Sequence, residues 1–163
     1  LQLVTGILGH DTNHGSNTVL LVVVLQEVNN LLMIRGEFRN TFRLFGADRI
    51  VLISDSMMAT GMKDGQYMLG GQDVTVKGAL ATLADGTIAG SATNLYQCMK
   101  KAVEMGISRE AAIQAATINP ARSIGMEGQV GSLEAGKYAN IVVASQTLSL
   151  KQVILKGKMI KSA

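Results

Sequence analysis

Residues 50 to 53 read Ile-Val-Leu-Ile, and the run ends at once in Ser54 and Asp55. Consecutive apolar residues, most of them β-branched, leave such a strand with no polar face. It needs cover on both sides, as strands of parallel sheets have when helices pack above and below them. The run therefore predicts an α/β fold. It also predicts where chemistry would sit. In a βα barrel the active site is built at the C-terminal ends of the strands, where Ser54 and Asp55 fall.

Length constrains that reading. A closed eight-stranded βα barrel takes about 250 residues, and this chain has 163. If its strands belong to a barrel, they are part of one. Apolar residues are 47% and charged residues 17%, enough for a buried core and too apolar for a disordered chain. The net charge of +3 is small and scattered, so neither nucleic acid nor an anionic membrane surface is an expected partner. The longest apolar run, Val19 to Leu25, is seven residues, against about 20 for a membrane span. The single cysteine, Cys98, has no partner for an internal disulfide, which fits a reduced, cytoplasmic setting. Residue 1 is Leu, and no basic-then-apolar leader follows it.

Three regions follow from the local patterns. Residues 1–40 match poorly to any regular template. Gly9 to Thr18 reads as a loop, Val19 to Leu25 as a buried strand, and Gln26 to Asn40 shows no clean period. Residues 41–126 are orderly. A short helix is expected from Asn40, stopped by Gly46. The Ile50 strand comes next, then a loop from Met57 to Gly65. Short strands are predicted at Tyr67–Leu69, Gln72–Val76 and Ala79–Leu83. A helix is expected from Ser91 to Gly106, capped by Ser91 or Thr93, with Leu95, Cys98, Met99, Ala102 and Val103 on one face. A second helix begins at Ser108, and a third at Asn119-Pro120, with Asn as cap and Pro at the first helical position. Residues 127–163 read as a small antiparallel sheet at Asn140–Ala144, Val153–Leu155 and Met159–Ile160.

Asp55 is the main candidate for chemistry. A carboxylate at the mouth of a buried strand can act as general base and then as general acid. An Asp in this place can equally cap a loop. The segment Asp85-Gly86-Thr87-Ile88-Ala89-Gly90-Ser91 is the second candidate. Gly90 would let a ligand approach the backbone, though a turn running into a helix cap explains the same residues. The stretch Ala116 to Arg122 reads as a helix–turn–helix joint without chemistry of its own. His10 and His14 lie four apart, but Gly9 and Gly15 place them in a loop. A metal site needs three or four ligands, and no further His is available.

Together these segments resemble the N-acetylglucosamine-6-phosphate deacetylase family of the amidohydrolase superfamily. The resemblance runs over about residues 39–160. It is carried by Ile50 to Gly65, Leu69-Gly70-Gly71, Ala84 to Ser91, Ala116 to Arg122, Gly131-Ser132-Leu133-Glu134-Ala135-Gly136-Lys137 and Ala139-Asn140-Ile141-Val142-Val143. The Asn-Pro helix start and the Gly-Lys-x-Ala tail are common to many amidohydrolases. The Ser-Asp-Ser strand end, the Gly-Gly hairpin and the Gly-Thr-Ile-Ala-Gly-Ser stretch point to the deacetylases themselves. The resemblance implies the C-terminal part of a (β/α)8 barrel plus part of a small β-sandwich. It implies Asp55 as the catalytic acid/base and Ile88, Ala89 and Gly90 as backbone contacts to the sugar. It also implies a divalent metal, zinc first among the choices, a small-molecule amino-sugar phosphate as substrate, and a homo-oligomer, dimer or tetramer.

The resemblance fails before Arg39. The family's metal glutamate, its two metal histidines and its Asp-Gly-x-His substrate motif belong upstream of Asp55. Residues 33–38 instead read Met-Ile-Arg-Gly-Glu-Phe. Leu8 to Asn13 faintly echoes the family's Gly-His metal segment, which would make His10 a ligand, yet it lies too near Asp55 for the intervening strands. No metal ligand is assigned. A partial or frame-disrupted gene product would give this pattern, and such a chain alone is expected to be incomplete as an enzyme. Two other readings remain: a non-catalytic chain that folds or self-associates without metal, and another amidohydrolase, such as a dihydroorotase-like enzyme.

Overall fold

The computed structural model describes residues 6–7, 21–24 and 31–162, with side chains from residue 35 to residue 161. The chain forms two compact units, Leu1–Ala116 and Thr117–Ala163.

The first unit opens with β1 (Gly6–Ile7), β2 (Leu21–Val24) and helix α1 (Leu31–Phe45). A single 3-10 turn (Ala47–Arg49) then leads into β3 (Ile50–Ile53). β2 and β3 pair in parallel, Leu21 opposite Ile50 through Val24 opposite Ile53, and α1 is the connection between them. This βαβ unit is what the Ile-Val-Leu-Ile run demands. Ile50, Val51 and Leu52 are buried, as a strand without a polar face requires. Each such side chain contributes roughly 1.5–3 kcal/mol by leaving water. Of the apolar run Val19 to Leu25, the described residues Leu21–Val24 form β2. The expected loop at Gly9 to Thr18, with His10 and His14, lies outside the described residues.

Helix α1 corrects the sequence reading, which started a helix only at Asn40. The helix begins at Leu31. Its stripe, Phe38 and Phe42, is buried and joined edge to face, ring centroids 5.2 Å apart. Arg35 and Gly36 interrupt the pattern just upstream and hide the period. Gly46 ends the helix as expected, at φ 79.

Beyond β3 comes a four-stranded antiparallel meander: β4 (Gly65–Leu69), β5 (Gln72–Lys77), β6 (Leu80–Leu83) and β7 (Ile88–Ser91). Its first turn is Gly70-Gly71, with φ of 58 and 83. Two positive φ values in a two-residue loop match the twist of the flanking strands and favour Gly at both places. One face of the meander buries Val74, Val76 and Ala81 together with Met57 and Ala59 from the loop after β3. β7 is the second correction. Ile88 to Ser91 is a strand, not a turn running straight into a helix.

Helix α2 (Leu95–Glu104) accordingly starts later than expected. Its cap is neither Ser91 nor Thr93 but Asn94, whose Oδ1 accepts from Gln97 N at 3.1 Å. Cys98, Met99 and Ala102 form its buried stripe, as the spacing predicts. Helix α3 (Arg109–Ala116) is capped by Ser108, whose Oγ accepts from Ala111 N at 3.2 Å. Both helices pack on β3.

The second unit holds α4 (Ile118–Ser123) and a three-stranded antiparallel sheet, β8 (Ile141–Ala144), β9 (Leu150–Leu155) and β10 (Lys158–Ser162), with β9 central. The strands fall where the sequence placed them. The helix does not start as expected: Thr117 holds the cap position, Asn119 is buried within the first turn, and Pro120 is third rather than first. Pro is tolerated there because first-turn N–H groups have no intrahelical partner.

Candidate active site

Asp55 stands two residues beyond the end of β3, at the C-terminal side of the strand, and is exposed. Its backbone is left-handed, φ 50. Asp is among the few non-glycine residues that visit this region.

The turn is held by β7. Ser91 N donates to the Asp55 carbonyl at 3.0 Å, and Met57 N donates to the Ser91 carbonyl at 2.9 Å. Ser56 and Ser91 thus form a single parallel bridge. The Ser91 carbonyl takes a second bond, from Thr60 Oγ1 at 3.3 Å. Ser56 Oγ lies 2.6 Å from both Ser54 Oγ and the Thr93 carbonyl. On the far side, Met57 and Ala59 anchor the loop in the core of the meander.

This arrangement brings the two sequence candidates together. Ile88, Ala89 and Gly90 immediately precede Ser91 on β7. A Cβ placed on Gly90 would lie 3.6 Å from the Asp55 carbonyl oxygen. β7 also carries an irregularity: Ile88 faces Thr82 and Gly90 faces Ala81, so Ala89 is the extra residue of a bulge. Bulges of this kind occur beside active sites, where they re-aim a strand. Sequence reasoning missed Ser56, Ser91 and Thr93 as the groups that secure the Asp55 turn. Their signal was slight, short polar residues at a strand end that are usual in any loop.

Asp85, in the same segment, has a structural part. Its Oδ1 accepts from Thr87 N at 2.9 Å, closing a turn. The hydrogen bonds from the Thr87 backbone and then its side chain hold the Asp85 carboxyl below its ordinary range. Glu134, in the second unit, is lowered in the same direction by Ser132 and then by Lys137.

A metal centre does not fit the described residues. Among them no three His, Cys, Asp or Glu side chains gather as a ligand set, where a metal site needs three or four. A hollow of about 270 Å³ is lined by Arg39, Phe42, Arg43, Ala47, Ile107 and Ser108 among others, and Asp55 is not on it. The mouth of a barrel is walled by the loops of eight strands. The described residues supply two parallel strands, β2 and β3.

The family model described as "Amidohydrolase family" matches residues 48–160, which is most of the chain. The chain belongs to the amidohydrolase family. Among its relatives are the N-acetylgalactosamine-6-phosphate deacetylase of Escherichia coli O157:H7, 38% identical over 113 residues, and the N-acetylglucosamine-6-phosphate deacetylase of Vibrio furnissii, 39% identical over 116 residues. These matches cover 69% and 71% of this chain, but 30% and 29% of the relatives. A solved structure, a mutant N-acetyl-D-glucosamine-6-phosphate deacetylase of Mycobacterium smegmatis in complex with N-acetyl-D-glucosamine-6-phosphate, superposes with a TM-score of 0.74 at 31% identity. That match covers 86% of this chain and 37% of the other. As expected, the fold of this amidohydrolase is the C-terminal part of a (β/α)8 barrel with part of a small β-sandwich. The amidohydrolase family is in general divalent-metal dependent. No helix among the described residues is long and apolar enough to cross a membrane.

Proposed function

We propose that this chain carries the acid/base and sugar-contact segments of an amino-sugar 6-phosphate deacetylase, with Asp55 as proton shuttle. The observation that carries this reading is the tie between Asp55 and β7. The Asp55 carbonyl is hydrogen-bonded to Ser91, the residue that follows the expected sugar-contacting backbone, Ile88, Ala89 and Gly90, on β7.

In the proposed reaction water adds to the acetamide carbonyl carbon while the Asp55 carboxylate takes its proton. The tetrahedral intermediate then loses the C–N bond. Protonated Asp55 gives its proton to the leaving amine, so acetate and the free amino sugar depart and the carboxylate is regenerated. Shuttles of this kind contribute about 10²–10⁴ in rate. The bulge at Ala89 supports a backbone role for β7, since a bulged residue stands out of the regular ladder. The metal of this reading, zinc, would need ligands outside the described residues, and no step is assigned to it. We further propose a cytoplasmic setting, supported by the free, buried Cys98, and a homo-oligomer, supported by exposed Met68 and Leu133.

The sugar epimer is a specific point. Relatives named for N-acetylgalactosamine 6-phosphate and for N-acetylglucosamine 6-phosphate match almost equally, at 38% and 39%. The test is a chimera in which residues 48–160 replace the matching segment of the Vibrio furnissii relative, assayed for acetate release from each sugar phosphate. Activity that falls about 10²-fold or more in Asp55→Asn is the expected result. A chimera in which Asp55→Asn keeps full activity would refute the role of Asp55. The chain by itself is expected to release no acetate from either sugar with zinc added.

A further inference from the structure

We propose that Ser56 is a positioning residue for Asp55, acting through its hydroxyl, which is shared between Ser54 Oγ and the Thr93 carbonyl. The catalytic consequence rests on the reading of Asp55 as the acid/base, whereas the structural claim stands apart from it.

The Ser56 hydroxyl is the donor on both sides. It lies 2.6 Å from the Thr93 carbonyl, which can only accept, and 2.6 Å from Ser54 Oγ, which accepts as well. One O–H shared between two acceptors is a three-centre bond, and it ties Ser54, Ser56 and Thr93 together through a single proton.

Geometry gives this bond its purpose. Ser54 and Ser56 flank Asp55, and the bond between them closes a tight turn with Asp55 at its apex, at φ 50. Two backbone bonds, Ser91 N to Asp55 O and Met57 N to Ser91 O, tie the turn to one residue of β7. The Ser56 bond reaches Thr93, two residues further on, and gives the turn a second anchor. Thr93 is itself fixed, since its N–H donates to Ser91 Oγ at 3.0 Å, and Ser91 is buried. The apex is thus referred to a buried point of the fold although Asp55 is exposed. A shift of about 1 Å in a reacting group can cost about 10²-fold in rate, so such a device would matter to a proton shuttle.

The experiment is solution NMR of the full chain and two variants, Ser56→Ala and Ser56→Thr, reading the Cα, Cβ and carboxyl carbon shifts of Asp55. Ser56 is exposed, so both variants should keep the fold, checked on the amides of Val74 and Val76. Loss of the left-handed shift signature of Asp55 in Ser56→Ala, restored in Ser56→Thr, is the expected result. A signature that survives in Ser56→Ala overturns the proposal, as does equal loss in both variants. These shifts do not depend on turnover. An inactive Asp55 would appear in the acetate assay of the chimera, so the two claims fail separately.

Discussion

Alanine at Gly90 and alanine at Gly36 should move stability in opposite directions. Gly90 lies on β7 with φ 156. The added Cβ would meet the Asp55 carbonyl oxygen at 3.6 Å and Met57 Cβ at 3.8 Å, both ordinary van der Waals distances. No clash arises, so the cost is conformational. Forcing a side chain into sparsely populated backbone space costs about 1–3 kcal/mol, or roughly a 5- to 150-fold loss in the folded-to-unfolded ratio. At about 2–4 °C per kcal/mol for a chain of this size, the midpoint falls by several degrees. Gly36 sits in the interior of α1, with nothing among the described residues within 4 Å of its Cβ position. Alanine there should stabilise by about 0.5–1 kcal/mol, because glycine is the costlier residue within a helix. Urea unfolding followed by far-ultraviolet circular dichroism reads both. Gly90→Ala at or above the parent midpoint would refute the reasoning, as would any loss of stability in Gly36→Ala.

Three further outcomes follow from the packing. Gly131 has φ 94, and a Cβ there would come within 2.9 Å of Ile118 Cα and Ala121 Cβ. Gly131→Ala should therefore cost more than Gly90→Ala, about 2–5 kcal/mol from strain and overpacking together, while Gly128→Ala, with open space around it, should stay within about 0.5 kcal/mol in the same urea experiment. Asn94→Ala removes the α2 cap and should lower stability by about 1 kcal/mol, with Asn94→Ser recovering most of it. Burial pushes the Cys98 thiol up to about 11. Its stabilising effect is whole below the unfolded thiol value and is lost as pH rises through the folded one, so stability should fall above about pH 9. The folded chain should also react slowly with a thiol reagent at pH 8, and rapid reaction would contradict the burial.

What the sequence made legible depended on whether a physical rule acted locally. Ile50 to Ile53 has no polar face, so the parallel strand and its buried setting follow from four residues. The Gly70-Gly71 turn and the stripe of Cys98, Met99 and Ala102 are equally local. Helix α1 was truncated because Gly36 and Arg35 interrupt its apolar period, although the aromatic pair downstream of them is what packs. β7 was missed because Ile88 to Ser91 has too little alternation to announce a strand. Its pairing with β6, and the bridge from Ser91 to Ser56, are non-local. The same holds for the candidate site. Asp55 was visible from the strand end, but its nearness to Gly90 comes from a meander that carries the chain back over 30 residues. The left-handed turn at Asp55 is tied by tertiary hydrogen bonds, to Ser91 on β7 and through Ser56 to Thr93.

Titration of the isotopically labelled chain with N-acetylglucosamine 6-phosphate, followed amide by amide in solution NMR, puts the proposed site to its most direct trial. With no ligand set for a metal among the described residues, affinity should be weak, about millimolar, which is roughly 4 kcal/mol. The account predicts shifts concentrated at Ile88, Ala89, Gly90 and the turn around Asp55, diminished when Gly90 is replaced. Saturating shifts that gather at the Arg39 and Arg43 hollow, with β7 silent, would contradict it.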